Sequence, residues 1–444
     1  MAAASVVQVY RYPFASCLEE LKSGLGLRLA TFGGAVEERP YFFAGTLIEP
    51  QITAQMLQVL ANIIATRFYM PIPVAALDPV VTSNSSLLRF EGFSSCCGVY
   101  CRVDLLEDSF EREITGRGTT NVDFNLKMRA ALATIGAQSD VKLSVGADEV
   151  ILEKFGSEKV IEKKVKLPIR WIKGFSEVQS YLPTLTPKFH IKAAEARRFI
   201  RALPKGSAPK KPSYVVGQGK GLRLSQREAR ESVRLTGVER LRSLEPLLNS
   251  PSIELDIWSD NDNGVSAWQI TDGPRRIVVV ISPEIWRGFS GEGQVLDKLS
   301  EEDSHDAVSR VRAQLNWQSQ VDLDNVAKFT NVAPEKVSRA LAVLGSRGLV
   351  GYDQNTSSYF HRELPFDLEK VEQLQPRLRA ARKLIEEDGV EVITKSKVMV
   401  QGTEVKHRVN LEKDTCTCPW YGKHQNSRGP CKHILAAQMK VEDD

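Results

Sequence analysis

The chain has 444 residues, 42% hydrophobic and 26% charged, which is enough apolar material for several cores and unlike a disordered chain. Its net charge of +4, from 59 basic and 55 acidic residues, is too small to argue by itself for nucleic-acid binding. The longest apolar runs, such as Leu57–Ile64 and Ile277–Ile281, fall well short of the ~20 residues of a membrane span, and the opening MAAASVVQVYRYP lacks the basic-then-apolar layout of a secretory signal. A cytoplasmic protein without membrane contact is expected, and seven cysteines in such a chain argue for thiols or metal ligands over a disulfide framework.

Residues 1–203 read as a mixed α+β domain. An extended start at Val6–Tyr10 precedes a strand at Tyr41–Leu47, and Ile52, Met56, Leu57, Leu60, Ile63 and Ile64 then recur at helical spacing. Val99, Cys101, Val103 and Leu105 alternate as in a half-buried strand, and strand-like runs follow at Val141–Val145, Val150–Lys154 and Val160–Val165. Helices are expected over Pro168–Leu182 and Lys192–Leu203. Residues 204–221 hold three prolines, four glycines and four lysines, the composition of a flexible basic linker. Its lysines, with Arg223, Arg227 and Arg230, suit either a phosphate backbone or plain solvation. Residues 222–300 contain a β-meander from Ile253 to Ile281 with a turn at Asp260–Gly264, followed by a helix starting near Pro283.

Residues 301–365 carry a helix at Ser304–Trp317 and then two more. Leu323, Val326 and Ala327 fit one, with Asp322 or Asp324 as its cap. Val337, Ala340, Leu341 and Leu344 form the apolar face of the other, which Pro334 begins and Gly345 and Gly348 end. Leu349–Tyr352 and Ser358–His361 flank a polar turn and read as a hairpin. This order resembles the winged helix-turn-helix of bacterial regulators, whose second helix enters the DNA major groove. The resemblance turns Glu335, Lys336, Ser338, Arg339, Ala342, Ser346 and Arg347 outward and makes Lys328, Lys336, Arg339 and Arg347 candidate phosphate contacts. The hairpin carries an Asp and no Lys or Arg, and winged helices also dock proteins.

After a helical connector at 366–389, residues 390–444 end in Cys-x-Cys, a turn-rich loop of twelve residues, and Cys-x-His. Residues i and i+2 of an extended backbone point the same way, so Cys416 with Cys418 and Cys431 with His433 can face one ion from two banks. Three sulfurs and an imidazole satisfy tetrahedral Zn²⁺ and leave no open position, which makes the expected single zinc structural. Val390–Val400 and Glu404–Leu411 read as a hairpin before the ligands, and Ile434, Leu435 and Met439 as a short helix after them, with Trp420 a core aromatic. His424 is expected in solvent, and His407 on a strand facing solvent or the core. This ββ–CxC–CxH–α pattern resembles the SWIM zinc finger.

Other clusters have plainer readings. Cys96, Cys97 and Cys101 have no histidine nearby and suit buried thiols better than a second metal. Glu301–Asp303 suits a helix's first turn, and the DNDNG run at 260–264 lacks the spacing of a calcium loop. No HExxH, GxxxxGK[ST] or GxSxG occurs. The expectation is a non-enzymatic α+β multidomain protein, with a mixed α/β N-terminal region, a winged helix-turn-helix and a C-terminal ββα finger. It resembles bacterial SWIM zinc finger proteins, for which nucleic acid, DNA in the first instance, is the implied partner. The competing expectation is a protein scaffold, since some members accompany MoxR-type AAA+ ATPases and von Willebrand A proteins.

Overall fold

The computed structural model describes residues 8–10, 17–21, 24–29, 31–32, 41–68, 79–84, 86–122, 124, 126–146, 165–167, 169–206, 212–283, 288–291, 293–296, 305–364, 375–426 and 428–443. The chain divides into two compact units. The first comprises Met1–Trp171, Leu185–Gly288 and Arg362–Pro365, the second Ile172–Thr184, Phe289–His361 and Phe366–Asp444.

The first unit is built on a nine-stranded sheet, ordered Thr186–Lys192, Glu254–Asp260, Val265–Asp272, Arg275–Ile281, Val99–Leu106, Leu87–Phe93, Val80–Ser83, Gly118–Val122 and Thr31–Phe32. The meander strand Arg275–Ile281 pairs antiparallel with Val99–Leu106, from Arg275 opposite Leu105 to Ile281 opposite Val99. One sheet thus joins segments expected in separate domains at 1–203 and 222–300. The flexible linker is corrected as well, because Ser213–Gln218 and Gly221–Ser225 form a hairpin that Ser232–Leu235 completes as a three-stranded sheet. Val215 and Val216 supply buried side chains there, which outweighs the Gly- and Lys-rich composition around them.

Helix α1 (Pro50–Ala65) starts at a proline and buries Met56, Leu57, Leu60, Ile63 and Ile64. It lies so close to the strand Leu87–Phe93 that a Cβ on Gly92 would sit 2.7 Å from Ile64 Cδ1. Helices α2 (Leu126–Thr134) and α4 (Ala193–Ala202) follow, with α3 (Ile169–Tyr181) between them in sequence and belonging to the second unit from Ile172 on, and a second sheet of five strands pairs Gly24–Leu29 in parallel with Val141–Gly146. The strand-like run 150–154, residues 160–164, residues 284–287 of the helix expected from Pro283, and the acidic turn 301–303 lie outside the described residues.

Val99–Leu106 is buried on both faces, not one. The second face carries ions. Asp104 takes Arg89 at 2.6 Å, Arg102 at 3.2 Å and Arg276 at 3.1 Å, while Glu91 pairs with Arg362 and accepts from the Tyr100 hydroxyl. Burial alone would push the Asp104 carboxyl up, but Arg102, Arg89 and Arg276 together hold it below its ordinary value. Alternation along the strand is real, and its polar half is internal.

In the second unit, helix α5 (His305–Ala313) precedes α6 (Leu323–Thr330) and α7 (Pro334–Ser346). The Asp322 carboxylate caps α6 by accepting from Asn325 N at 3.0 Å, and Asn331 closes it in the left-handed conformation at φ 54°. Val337, Leu341 and Leu344 of α7 are fully buried with Val308, Val311 and Val326, each burial contributing roughly 1.5–3 kcal/mol. Gly345 lies within α7 and does not end it; Gly348, at φ +79°, follows its cap. Val350–Asp353 and Ser358–His361 then pair as a hairpin. Gln179 of α3 accepts from Tyr352 N at 3.0 Å, and a Cβ on Gly345 would meet Gln179 Cβ at 3.4 Å, so α3 covers the end of α7 and the first hairpin strand.

Candidate metal centre

The C-terminal part of the second unit starts with helix α8 (Pro376–Glu386) inside the expected connector. Leu378 and Ala381 of α8 are buried in the same core as Val398, Val400, Val409, Ile434, Leu435 and Met439, so the connector helix is part of the finger. The expected two-stranded hairpin is instead four strands, Val390–Thr394, Lys397–Gln401, Lys406–Asn410 and Thr415–Cys416, because the chain already turns at Lys395 and Ser396. Cys416 ends the last strand. Cys418 caps the short helix α9 (Pro419–His424), and Cys431 directly precedes α10 (Lys432–Asp443). Helix α9 went unforeseen, although a proline directly after a capping residue is the usual sign of a helix start.

Cys416, Cys418, Cys431 and His433 are all buried, and their ligand atoms lie within 4.8 Å of one another. His433 Nδ1 stands 3.9 Å from Cys416 Sγ and 4.0 Å from Cys431 Sγ. Donors about 2.0–2.3 Å from one tetrahedral ion would be about 3.6–3.8 Å apart, so a small contraction onto Zn²⁺ brings the set to bonding distance. Tyr421 N donates to Cys418 Sγ at 3.4 Å and Ile434 N to Cys431 Sγ at 3.5 Å, each favouring the thiolate that a metal requires. The Cys431 thiol is held well below its usual range, first by the hydrogen bond from Cys416, with the His433 ring and the Ile434 N–H adding. Cys416 is pushed up chiefly by that same bond, and burial pushes Cys418 up. Among the described residues this is the one group of three or more His, Cys, Asp and Glu side chains placed to share an ion.

Residues 407–438 match the SWIM zinc finger. The match begins at His407, whose ring stands 4.6 Å from that of His433, beside the ligands and not in open solvent. His424 packs its ring 4.3 Å from Trp420, and Trp420 is half-buried at the edge of the core, with the Arg377 guanidinium 4.7 Å over its ring. Arg377 Nη1 also donates to the carbonyls of Arg428 and Pro430, both at 2.8 Å, so α8 holds the loop that delivers Cys431. The SWIM finger implies zinc, and the buried three-sulfur, one-imidazole set fits it. Bound there, zinc would tie the last strand to the starts of α9 and α10.

Across 55% of its length the chain is also similar to proliferating cellular nuclear antigen from Entamoeba histolytica, at 11% identity, 99% coverage of that chain and a TM-score of 0.35. The A. fulgidus PCNA bound to the C-terminal region of FEN-1 matches at 14% identity, with 55% of this chain and 98% of that one covered, and a TM-score of 0.33. Likenesses this loose carry no argument about function. The curated proteins offer no match.

Of the candidate phosphate contacts, Lys328 on α6 and Lys336 and Arg339 on α7 are exposed, and Arg347 at the α7 cap is half-buried. Glu335 is exposed, and Ser338 and Ala342 are half-buried. Ser346, expected outward, is buried and donates to the Val343 carbonyl at 2.7 Å. Cys96, Cys97 and Cys101 are buried as well, and burial pushes the Cys101 thiol up, the state of an inert core thiol.

Proposed function

We propose that this protein is a non-catalytic zinc protein that recognises nucleic acid, DNA in the first instance, through its SWIM finger and a winged helix formed by α5–α7 and the hairpin 350–361. The observation that carries the reading is the exposed cationic start of α7. Lys336 and Arg339 sit three residues apart on one face, and Lys328 stands exposed on the preceding helix. In helix-turn-helix proteins the N-terminal residues of the second helix meet the bases. Here the end of α7 is occupied by α3, while its start is open. A zinc ion with four protein ligands has no position for water or substrate, which supports a structural role for the metal.

The test is binding of labelled duplex and single-stranded DNA by the zinc-loaded protein across a salt series. Log affinity should fall linearly with log salt, with a slope near about −0.9 per phosphate contact on duplex. Lys336→Ala with Arg339→Ala should weaken duplex binding and flatten that slope. Absence of salt-sensitive binding to any nucleic acid overturns the reading.

One observation favours a protein partner instead. Phe329 is 74% exposed on α6, whose Leu323 is also exposed. A large aromatic left in solvent can be covered by a protein partner and offers nothing to a phosphate. Stoichiometric co-purification of a partner lost on Phe329→Ser would support this scaffold reading.

A further inference from the structure

Beside the metal ligands, the turn Gly402–Val405 and the Cys418–Trp420 corner enclose a groove of about 430 Å³ whose walls also include Arg377, His407 and Lys432. Small-molecule sites span roughly 300–1,000 Å³, so the groove has room for one nucleotide and far too little for a duplex. Val405, 60% exposed, stands at its mouth.

Two nitrogens of the lining lack an acceptor. Trp420 Nε1 and His433 Nε2 are buried, and neither has a hydrogen-bond partner among the described residues. An indole N–H can only donate. His433 faces the sulfurs with Nδ1, and an imidazole that ligates through one nitrogen carries its proton on the other, so Nε2 is a donor too. A buried donor without an acceptor has given up its water for nothing, a loss that an incoming oxygen or ring nitrogen would recover. Arg377 and Lys432 add positive charge, and Glu404 is the one carboxylate of the lining.

We propose that this groove takes one unpaired nucleotide of a single strand. The base enters between the Val405 turn and the finger and accepts from Trp420 and His433, while its flanking phosphates lie on Arg377 and Lys432. Because the Trp420 ring already carries Arg377, the indole meets the base through its N–H edge. A base can enter a groove of this size only when it is unpaired and turned out of a stack, which selects single strands. The proposal rests on the nucleic-acid reading above and names the strand form and the contact site.

The experiment uses the full-length protein with its zinc content measured, a short fluorescein-labelled oligothymidylate and a duplex of equal length, read by anisotropy at several salt concentrations. The single strand should bind more tightly than the duplex to the finger. Val405→Asp, which sets a carboxylate at the mouth without touching the core, and Lys432→Gln should each weaken oligothymidylate binding by about tenfold or more. Trp420→Phe, which keeps the ring and removes the N–H, should cost about tenfold with zinc retained. Unchanged oligothymidylate affinity in Val405→Asp and Lys432→Gln overturns the groove assignment. If Lys336→Ala with Arg339→Ala then abolishes binding, the nucleic-acid reading stands without it. Wild-type protein that binds neither strand form defeats both.

Discussion

A Cβ on Gly429 would lie 1.9 Å from the carbonyl oxygen of Gly293, and Gly429 holds φ +73°. The approach is backbone to backbone, so no side chain can yield. It fixes the loop before Cys431 against the segment 293–296, whose Val295 and Leu296 are buried in the finger core. Gly429→Ala should therefore cost on the order of 2 kcal/mol or more and speed zinc loss to a chelator. Chelator-transfer kinetics and a thermal melt check this, and wild-type behaviour would show the contact to be dispensable.

Glu177 of α3 accepts from Gln294 N at 2.8 Å and Val295 N at 3.2 Å, holding the other side of that segment. Burial pushes its carboxyl up to about 7 despite those bonds. A carboxyl raised in the folded state contributes stability that is full below its unfolded value near 4.5 and is lost as pH rises through about 7. From about pH 5 to about pH 7 the zinc-loaded protein should lose stability, by on the order of 2 kcal/mol, with little further change above that. Glu177→Gln, which cannot ionise, should flatten this slope in denaturant titrations. A variant with the wild-type pH slope would place the titration elsewhere.

His361 has the opposite sign. Its Nδ1 accepts from Trp317 N at 2.7 Å, its ring stacks on the Trp317 indole at 4.7 Å, and burial, with Arg312 adding, lowers its pKa to about 4. Stability from the neutral ring is complete above its unfolded value near 6.5 and is lost as pH falls towards about 4. In NMR titrations its ring signals should stay unshifted from about pH 8 to about pH 5.5, and a midpoint near 6.5 would refute the buried neutral state.

The Arg377 guanidinium holds two loop carbonyls and covers Trp420. Arg377→Lys keeps the charge but cannot reproduce a planar fork that donates and stacks at once. Zinc affinity should fall by about tenfold, the lower end of what a supporting contact is worth, and competition with a chromophoric chelator reads it.

Much of this was legible in local pattern, and the limits have physical causes. The four ligand positions could be read from the spacing of Cys416, Cys418, Cys431 and His433, because two residues apart in extended chain is a geometric statement. Asp322 and Pro334 marked helix starts for the same kind of reason. What local pattern misses is what distant segments do to each other. Nothing near Arg275 announces that it faces Leu105, and nothing in Arg89, Arg102 or Asp104 says that a polar strand face is interior, since alternation looks identical when the polar half faces solvent. Ser213–Ser225 was hidden by lysines and glycines that its valines outweigh. The groove beside the finger is invisible in sequence because Arg377, Val405, Trp420 and Lys432 converge only in the fold.

Elemental analysis of the purified protein, with Cys431→Ser measured beside it, tests the central claim most directly. Zinc bound by the four side chains predicts one atom per chain in the wild type, most of it lost in the variant, with the melting transition of the first unit retained. A wild-type chain without stoichiometric zinc, or a variant that keeps it, would contradict the account.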